Sequence, residues 1–219
     1  MPRVIEDRFV FINLAATELS IFEQGQVVMQ FRTVNGGPYR RTPSMRDIIG
    51  SVLFNPTWTS PKSIAIKDKI PKIRADRDYF KKMNMHIIDK YGSFVDENTV
   101  DWSISPFILA DRYTYRMEPG LMNALGVVKF PLSLNSDDIY MHDTNERDLF
   151  QNADRLRSSG CMRLEKPQEF AAYVLSREGW TLEQVQATVA HGIPGETFEA
   201  LKSVRLSREN YLPVYTLYQ

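Results

Sequence analysis

Alternation of apolar and polar residues near the start of the chain is the feature that most restricts its fold. Phe9 to Leu14 has the composition of a strand, and the runs Leu19 to Phe22 and Val27 to Val34 flank Gln24-Gly25, where a tight turn can join them. Side chains on a strand alternate between its two faces, so this pattern leaves one face for a core. The chain is predicted to begin with a β-hairpin that belongs to a larger sheet.

The other predicted elements give a mainly β fold with helices late in the chain, an α+β class. Pro167 begins a helix that stops at Gly179, and Thr181 caps a second helix, Leu182 to Ala190, which Gly192 closes. Further strands and one polar loop are predicted as follows: strands at Ser51 to Phe54, Gly126 to Phe130, Asp138 to His142 and Tyr211 to Tyr218, and a loop at Tyr39 to Arg46.

The segment between Asn55 and Arg112 differs in amino-acid composition from the sequence on either side of it. Prolines punctuate it, Lys and Arg are frequent, and only short helical runs such as Asp78 to Met83 fit the pattern. We expect residues 1–219 to form a single domain, with 61–111 as a lid-like insertion within it. The basic residues of this insertion could contact an acidic polymer, or they could form a solvated surface, which is the more common role of such residues.

Composition excludes several classes of function. The 27 basic and 27 acidic residues cancel, so no net field favours nucleic acid or an anionic membrane. No stretch is apolar enough to span a bilayer, and the first residues lack the pattern of a signal peptide. With one cysteine, Cys161, the chain has no internal disulfide, and that thiol is either a small buried hydrophobe or a reactive group.

The segment from Asp138 to Arg163 carries the candidate chemistry. His142 ends a predicted strand and Cys161 follows a Ser/Gly-rich turn, with a short helix predicted between them at Asn145 to Gln151, capped by Asp143 or Thr144. A free thiol has a pKa of about 8.5, so a nucleophilic cysteine needs a base such as an imidazole.

Gly160 can turn the backbone sharply before the cysteine, so that the amides of Gly160 and Cys161 converge on an oxyanion. From the residues alone, a catalytic pair and an inert Cys beside a structural His are equally favoured.

The pattern around the two residues resembles the L,D-transpeptidase (YkuD-type) signature, a His, a spacer, and then [Ser/Thr]-His-Gly-Cys-hydrophobic-Asn. Here 15 residues separate His142 from Ser158-Ser159-Gly160-Cys161-Met162-Arg163, with Ser159 in place of His and Arg163 in place of Asn. This variant is similar to the large periplasmic YcbB-like subgroup of Gram-negative bacteria. Other blocks share the resemblance: Tyr39-Arg-Arg-Thr-Pro43, Phe54-Asn-Pro-Thr-Trp58, Ile70-Pro-Lys72, Val100-Asp-Trp102 and Tyr140-Met-His-Asp-Thr144.

The resemblance implies a β-sandwich or barrel-like core with a lid, and a role for each site residue. Cys161 would be the nucleophile, and His142 the base, oriented by a backbone carbonyl. Tyr140, on the same strand face as His142, would line the substrate pocket. Four further residues are candidates for substrate contact: Ser159, Arg163, Trp58 and Asn55. Ser159 is equally suited to forming the turn, and Arg163 could bind a substrate carboxylate or form an internal salt bridge. Trp58 and Asn55 lie at the mouth of the insertion.

The implied function is peptidoglycan cross-linking in the periplasm. The Cys161 thiolate would take an acyl group from a tetrapeptide stem, release D-alanine, and pass the acyl group to a diaminopimelate amine, giving a 3→3 cross-link; carbapenems would acylate the same thiol. Hydrolysis of the thioester, as in an L,D-carboxypeptidase or endopeptidase, is the first alternative, and a non-catalytic wall-binding module is the second. The long members also carry an anchor and a wall-binding module, so an excised domain, trimmed at its C-terminus, is expected.

No cofactor or metal is inferred. His86 and His191 lack a Cys or carboxylate cluster at metal-ligand spacing, and both are expected to be structural or exposed.

Overall fold

A computed structural model describes residues 6–120, 122–135, 138–190 and 202–219. Within these ranges the chain forms the following strands: β1 (Arg8–Asn13), β2 (Glu18–Glu23), β3 (Gln26–Gly36), β4 (Met45–Ile49), β5 (Ser51–Phe54), β6 (Trp58–Thr59), β7 (Met85–Asp89), β8 (Phe94–Val95), β9 (Tyr113–Met117), β10 (Val128–Pro131), β11 (Tyr140–His142), β12 (Leu156–Ser158), β13 (Met162–Leu164), β14 (Lys202–Arg205) and β15 (Leu212–Leu217).

The helices are short and few. In chain order they are α1 (Lys62–Ile64), a π-helical segment (Ala65–Lys69), α2 (Ile70–Ala75), α3 (Tyr79–Lys82), α4 (Pro106–Arg112), α5 (Pro167–Leu175) and α6 (Leu182–Ala190), with 3-10 turns at Glu97–Thr99, Arg147–Gln151, Ser176–Glu178 and Arg208–Asn210. None of the helices in the described ranges has the length and apolar character needed to cross a bilayer.

The main sheet has eleven strands and is curled. Its order is β14-β5-β10-β11-β13-β3-β2-β1-β15-β4, and β12 pairs with β3 beside this path. Only Gly50 separates β4 from β5, although these strands lie far apart in that order. A bridge between Ile49 and Leu132 brings the β4 edge back to β10. The sheet therefore bends towards a barrel, which agrees with the predicted mainly β class with few helices.

The predicted hairpin is present, and β2 and β3 meet at Gln24 and Gly25, which both have positive φ (49° and 77°). Such a pair favours a tight turn whose twist matches that of the strands. The inner face of the curled sheet is closed by α5, whose Phe170 and Leu175 are fully buried. Full burial of side chains of this size stabilises the fold by about 2 kcal/mol each. Pro167 begins α5, and Gly179, with φ of 81°, follows its end, as predicted.

The segment between β5 and β10, called the insertion from here on because it contains the predicted insertion 61–111, folds around a hydrophobic core of its own. Strands β6, β9, β7 and β8 form a four-stranded sheet, and Phe80, Ile70 and Tyr115 are fully buried beneath it. Asn123 joins the two ends of this unit, because its side-chain amide donates to the carbonyls of Pro56 (2.9 Å) and Glu118 (3.0 Å).

Many basic side chains of the insertion have local acidic partners. These pairs are Lys62 with Asp111, Lys69 and Lys72 with Asp68, Lys82 with Asp76, and Arg116 with Glu118.

Several local predictions were wrong. The predicted loop 39–46 ends at Met45, where β4 begins, and the run Lys62–Ala75, for which no helix was predicted, is helical throughout. The helix predicted at Asn145 to Gln151 begins only at Arg147, as a 3-10 turn without a side-chain cap. Thr181 does cap α6, since its hydroxyl accepts from the Gln184 amide (3.3 Å). The predicted stop at Gly192 lies outside the described residues.

Candidate active site

Cys161 lies in the turn between β12 and β13, two three-residue strands that border β3. Its thiol is half-buried and unpaired with any other sulfur. The Ser158 hydroxyl fixes the turn by donating to the Cys161 carbonyl (2.6 Å). Thr42 fixes it from the other side, with its hydroxyl donating to the Gly160 carbonyl (2.8 Å). The turn is thus held from both sides, which places the thiol at the surface of a groove.

Gly160 has a backbone conformation that requires glycine. Its φ is +120°, and a Cβ there would come within 3.0 Å of the Ile139 side chain. However, the Gly160 amide donates to the Ser158 hydroxyl (3.1 Å). The Gly160 N–H is thus engaged by a neighbouring hydroxyl, and the convergence of the Gly160 and Cys161 amides on an oxyanion stays a prediction.

His142 ends β11 and is buried. Its Nδ1 contacts the backbone carbonyl of Asp143, which confirms the expected backbone partner and leaves Nε2 as the free basic nitrogen when Nδ1 carries the proton. Burial, together with the charges of Arg163 and Lys129, lowers the pKa of His142 to about 3. The imidazole is therefore neutral at physiological pH and able to accept a proton.

Asp143 does not contact the imidazole through its carboxylate and does not cap a helix. One carboxylate oxygen accepts from the Val127 amide (3.0 Å), and the other pairs with Arg147 (2.5 Å). A Cβ on Gly126, where φ is +57°, would overlap this carboxylate. Gly126 thus allows Asp143 to tie β11 to the strand before it, which fixes the carbonyl that orients His142.

Tyr140 contacts both members of the pair. Its ring lies 5.5 Å from the His142 ring between centroids, as expected for neighbours on one face of β11. The Cys161 thiol donates to the Asp138 carbonyl (3.8 Å), and Tyr140 lies close enough to the sulfur to lower the pKa of the thiol. Trp58 belongs both to the core of the insertion and to the wall of the groove.

A row of three side chains crosses strands β10, β11 and β13 on the groove side. Lys129 is directly opposite His142, and His142 is directly opposite Arg163. The neighbouring row, Phe130, Met141 and Met162, is fully buried in the main core. Alternation along the strands therefore places an imidazole between two cations.

The same charges act on the nucleophile. Burial raises the pKa of the Cys161 thiol, and the hydrogen bonds from Tyr140 and the charges of Lys129 and Arg163 oppose that rise. Lys129 was missed by sequence reasoning, which predicted the strands Gly126 to Phe130 and Asp138 to His142 but not the register between them.

Arg163 forms an ion pair with Glu146 at the groove edge, as one of its two predicted roles required. Its side chain is 19% exposed and that of Glu146 is 55% exposed. Ser159 accepts a hydrogen bond from Arg40 (2.8 Å), another residue that sequence reasoning missed.

Asn55, predicted to contact substrate, is not among the residues that line the groove. A positive φ of 47° turns the chain after β5, and the Asn55 amide donates to the Thr188 carbonyl of α6 (3.2 Å). The side chain therefore ties the main sheet to a helix on the far side of the core.

The candidate site is a groove of about 670 Å³ between the main sheet and the insertion. Its main-sheet wall carries the groups described above, and the insertion supplies a mostly uncharged wall from residues such as Thr57, Trp58, Ser60 and Ile64. Such an arrangement can form a covalent thiol adduct, with a neutral base beside the nucleophile.

In the described part of the chain, no three His, Cys, Asp or Glu side chains are grouped so that they could hold a metal ion. His86 is exposed, as expected, and packs edge-on against Phe94, while His191 lies outside the described residues.

Comparison with known proteins gives a consistent family. The YkuD family, described as the L,D-transpeptidase catalytic domain, matches residues 7–192. A Haemophilus influenzae protein named "Putative L,D-transpeptidase" is 35% identical over 182 residues. That match covers 82% of this chain but 36% of the relative, so the chain spans about a third of the relative's length.

Solved structures with similarity to the chain are also L,D-transpeptidases. L,D-transpeptidase 3 from Mycobacterium tuberculosis, in complex with a faropenem-derived adduct, has a TM-score of 0.44 at 11% identity, covering 96% of this chain and 60% of that one. The Enterococcus faecium L,D-transpeptidase C442S mutant has a TM-score of 0.41 at 10% identity, covering 97% and 50%. The sequence matches, rather than these distant superpositions, decide the assignment: this chain belongs to the YkuD family of L,D-transpeptidase catalytic domains.

Proposed function

We propose that this domain is a peptidoglycan L,D-transpeptidase that forms 3→3 cross-links through a thioester on Cys161. The observation that carries the proposal is that the chain's one thiol lies in the same groove as the buried, neutral imidazole of His142, with Tyr140 contacting both. A passive core cysteine would need neither a base nor a groove. The family implies stem peptides as substrates and a periplasmic location.

In the proposed acylation, His142 removes the Cys161 proton as sulfur attacks the carbonyl between the third and fourth residues of a tetrapeptide stem. The tetrahedral oxyanion collapses, the C–N bond breaks, and the imidazolium gives its proton to the departing D-alanine amine. In the second half, His142 takes a proton from the diaminopimelate amine, which attacks the thioester and releases Cys161. Each proton that leaves a nucleophile is thus returned to a leaving group.

The groove charges fit an anionic stem peptide. Arg40, Lys129 and Arg163 line it together with a single described acid, Asp138. Carboxylates on a bound peptide would meet these cations, and Arg163 could exchange its exposed partner Glu146 for a substrate carboxylate.

The insertion is proposed as a lid over this groove. Its wall residues border the site directly, since Trp58 lines the same groove as Tyr140 and Cys161, and Tyr140 packs against the hydrophobic cluster that contains Trp58. By excluding water and positioning the acceptor amine, a lid favours transfer over hydrolysis without being needed for acylation.

Incubating the domain with purified disaccharide-tetrapeptide, followed by mass spectrometry, tests the function. A cross-linked dimer with loss of one D-alanine supports transfer, whereas tripeptide alone indicates a hydrolase. Cys161→Ala must give neither product. Unchanged substrate with the wild-type domain, under conditions where the thiol can be alkylated, would overturn the proposal in favour of a binding module.

A further inference from the structure

Lys129 occupies an unusual place for a lysine. It lies at the centre of the sheet on β10, directly opposite His142, and its ammonium stands 3.8 Å above the centre of the Tyr140 ring. Within the described residues no carboxylate lies close enough to form an ion pair with it, whereas Arg163 on the other side of His142 has Glu146. A half-buried cation at a central strand position costs solvation free energy, so its retention needs a reason beyond packing.

We infer that Lys129 is the positioning residue that prepares Cys161 and His142 for reaction, by its charge and by holding Tyr140. This inference rests on the proposed role of Cys161 as nucleophile. Stacked on the ring face, the ammonium fixes the orientation of the phenol, which lines the groove beside the Cys161 sulfur. The positive charge also favours the thiolate over the thiol and the neutral imidazole over the imidazolium.

All charged and titratable groups around the pair act together. Lys129 on β10, Arg163 on β13 and Arg40 before β4 supply positive charge, and Asp138 before β11 and Glu146 after it supply negative charge. Glu146 offsets Arg163, so of the two cations directly opposite His142, Lys129 is the one without an ion pair among the described residues. Burial lowers the pKa of Lys129 itself, while Cys161 and Asp138 oppose that change. The negative groups of the site therefore favour the protonated, charged form of Lys129.

The test compares Lys129→Met, which keeps length and apolar volume, with Lys129→Arg, which keeps the charge and stacks on an aromatic ring. Lys202→Met is the matched control, because Lys202 lies 4.7 Å above the Trp180 ring but outside the groove. Iodoacetamide alkylation of Cys161, followed from pH 5 to 10 by intact-protein mass spectrometry, reports the thiol pKa without requiring any enzymatic activity. Circular dichroism checks the fold.

Lys129→Met should lower the alkylation rate at pH 7 about tenfold, since an opposite charge a few ångströms away changes a pKa by about one unit or more. Its alkylation profile should move to higher pH. Lys129→Arg and Lys202→Met should follow the wild type. If Lys129→Met fails to fold, Lys129→Gln replaces it.

Two results would overturn the inference. One is a Lys129→Met profile that superimposes on that of the wild type, and the other is equal loss in the Met and Arg variants, which would indicate a role in packing alone. The proposed function can fail separately from this inference. If cross-linking is absent but the alkylation profile of Lys129→Met still shifts to higher pH, only the assigned reaction is rejected.

Discussion

Substituting His142 should remove a pH-dependent loss of stability, independently of any activity. The folded-state pKa of His142 is about 3 because the ring is buried between two cations, whereas an unfolded His has a pKa of about 6.5. Between these values the unfolded chain binds a proton that the folded chain does not. The free energy of unfolding therefore falls as the pH drops below 6.5, and the loss continues to about pH 3.

The size of the effect follows from the linkage relation. The loss approaches about 1.4 kcal/mol per pH unit once the unfolded histidine is fully protonated, so lowering the pH from 6.5 to 4.5 costs about 2.3 kcal/mol for this one residue. In urea, with a slope of about 2 to 3 kcal/mol/M, this corresponds to a midpoint change of about 1 M. His142→Gln keeps a side-chain donor for the Asp143 carbonyl but has no titrating ring.

Urea unfolding at pH 6.5 and pH 4.5, followed by tryptophan fluorescence, measures this difference. The wild type should lose about 2 to 3 kcal/mol more than His142→Gln between the two pH values. His86→Gln is the matched control, because the exposed His86 ring should leave the wild-type pH dependence unchanged. Equal losses in the wild type and His142→Gln would refute the assignment of His142 as a buried neutral base.

Three further predictions concern the groove. A carbapenem should give one stable covalent adduct by mass spectrometry, absent in Cys161→Ala, and its acylation rate should show no fall near pH 6.5 because His142 stays neutral there; a fall at that pH would contradict the pKa argument. Replacing residues 57–117 with a short Gly/Ser linker between the ends that Asn123 joins should preserve carbapenem labelling but reduce cross-linking at least tenfold, and full cross-linking would exclude a lid role. Gly126→Ala should destabilise the fold by about 1 to 3 kcal/mol in urea, because its Cβ displaces the Asp143 carboxylate, whereas Gly25→Ala has free space and suffers only from its positive φ.

Much of the sheet could be predicted because its signals are local. The hairpin of β2 and β3 has alternating strands and a turn dipeptide that tolerates positive φ, and α5 begins at a proline and ends near a glycine. Cys161 and His142 could be placed together because their spacing resembles the L,D-transpeptidase signature, and the pairing of β11 with β13 is how the structure brings them to one groove.

The missed features depend on contacts between distant residues. Strands β12 and β13 have three residues each, too few to show a period, and they form because β3 pairs with both. The position of Asn55 in the sequence predicted a groove residue, but a positive φ directs its side chain towards α6. Lys129 would have been found from the register of β10 and β11, which a sequence does not show without a turn of defined length between the strands.

The row of Lys129, His142 and Arg163 also determines how protons move in the proposed reaction. With a base whose pKa is about 3 and a thiol whose pKa burial raises, the resting pair is neutral, so proton transfer accompanies attack on the carbonyl rather than preceding it. The imidazolium formed in this step is a strong acid, since burial and, to a smaller extent, both neighbouring cations disfavour it. It therefore gives its proton readily to the departing D-alanine amine, which would otherwise be a poor leaving group. A weak base in this position has a strong conjugate acid. Protonation of the D-alanine amine by this acid favours collapse of the tetrahedral intermediate to the thioester, because the protonated amine cannot attack the thioester again.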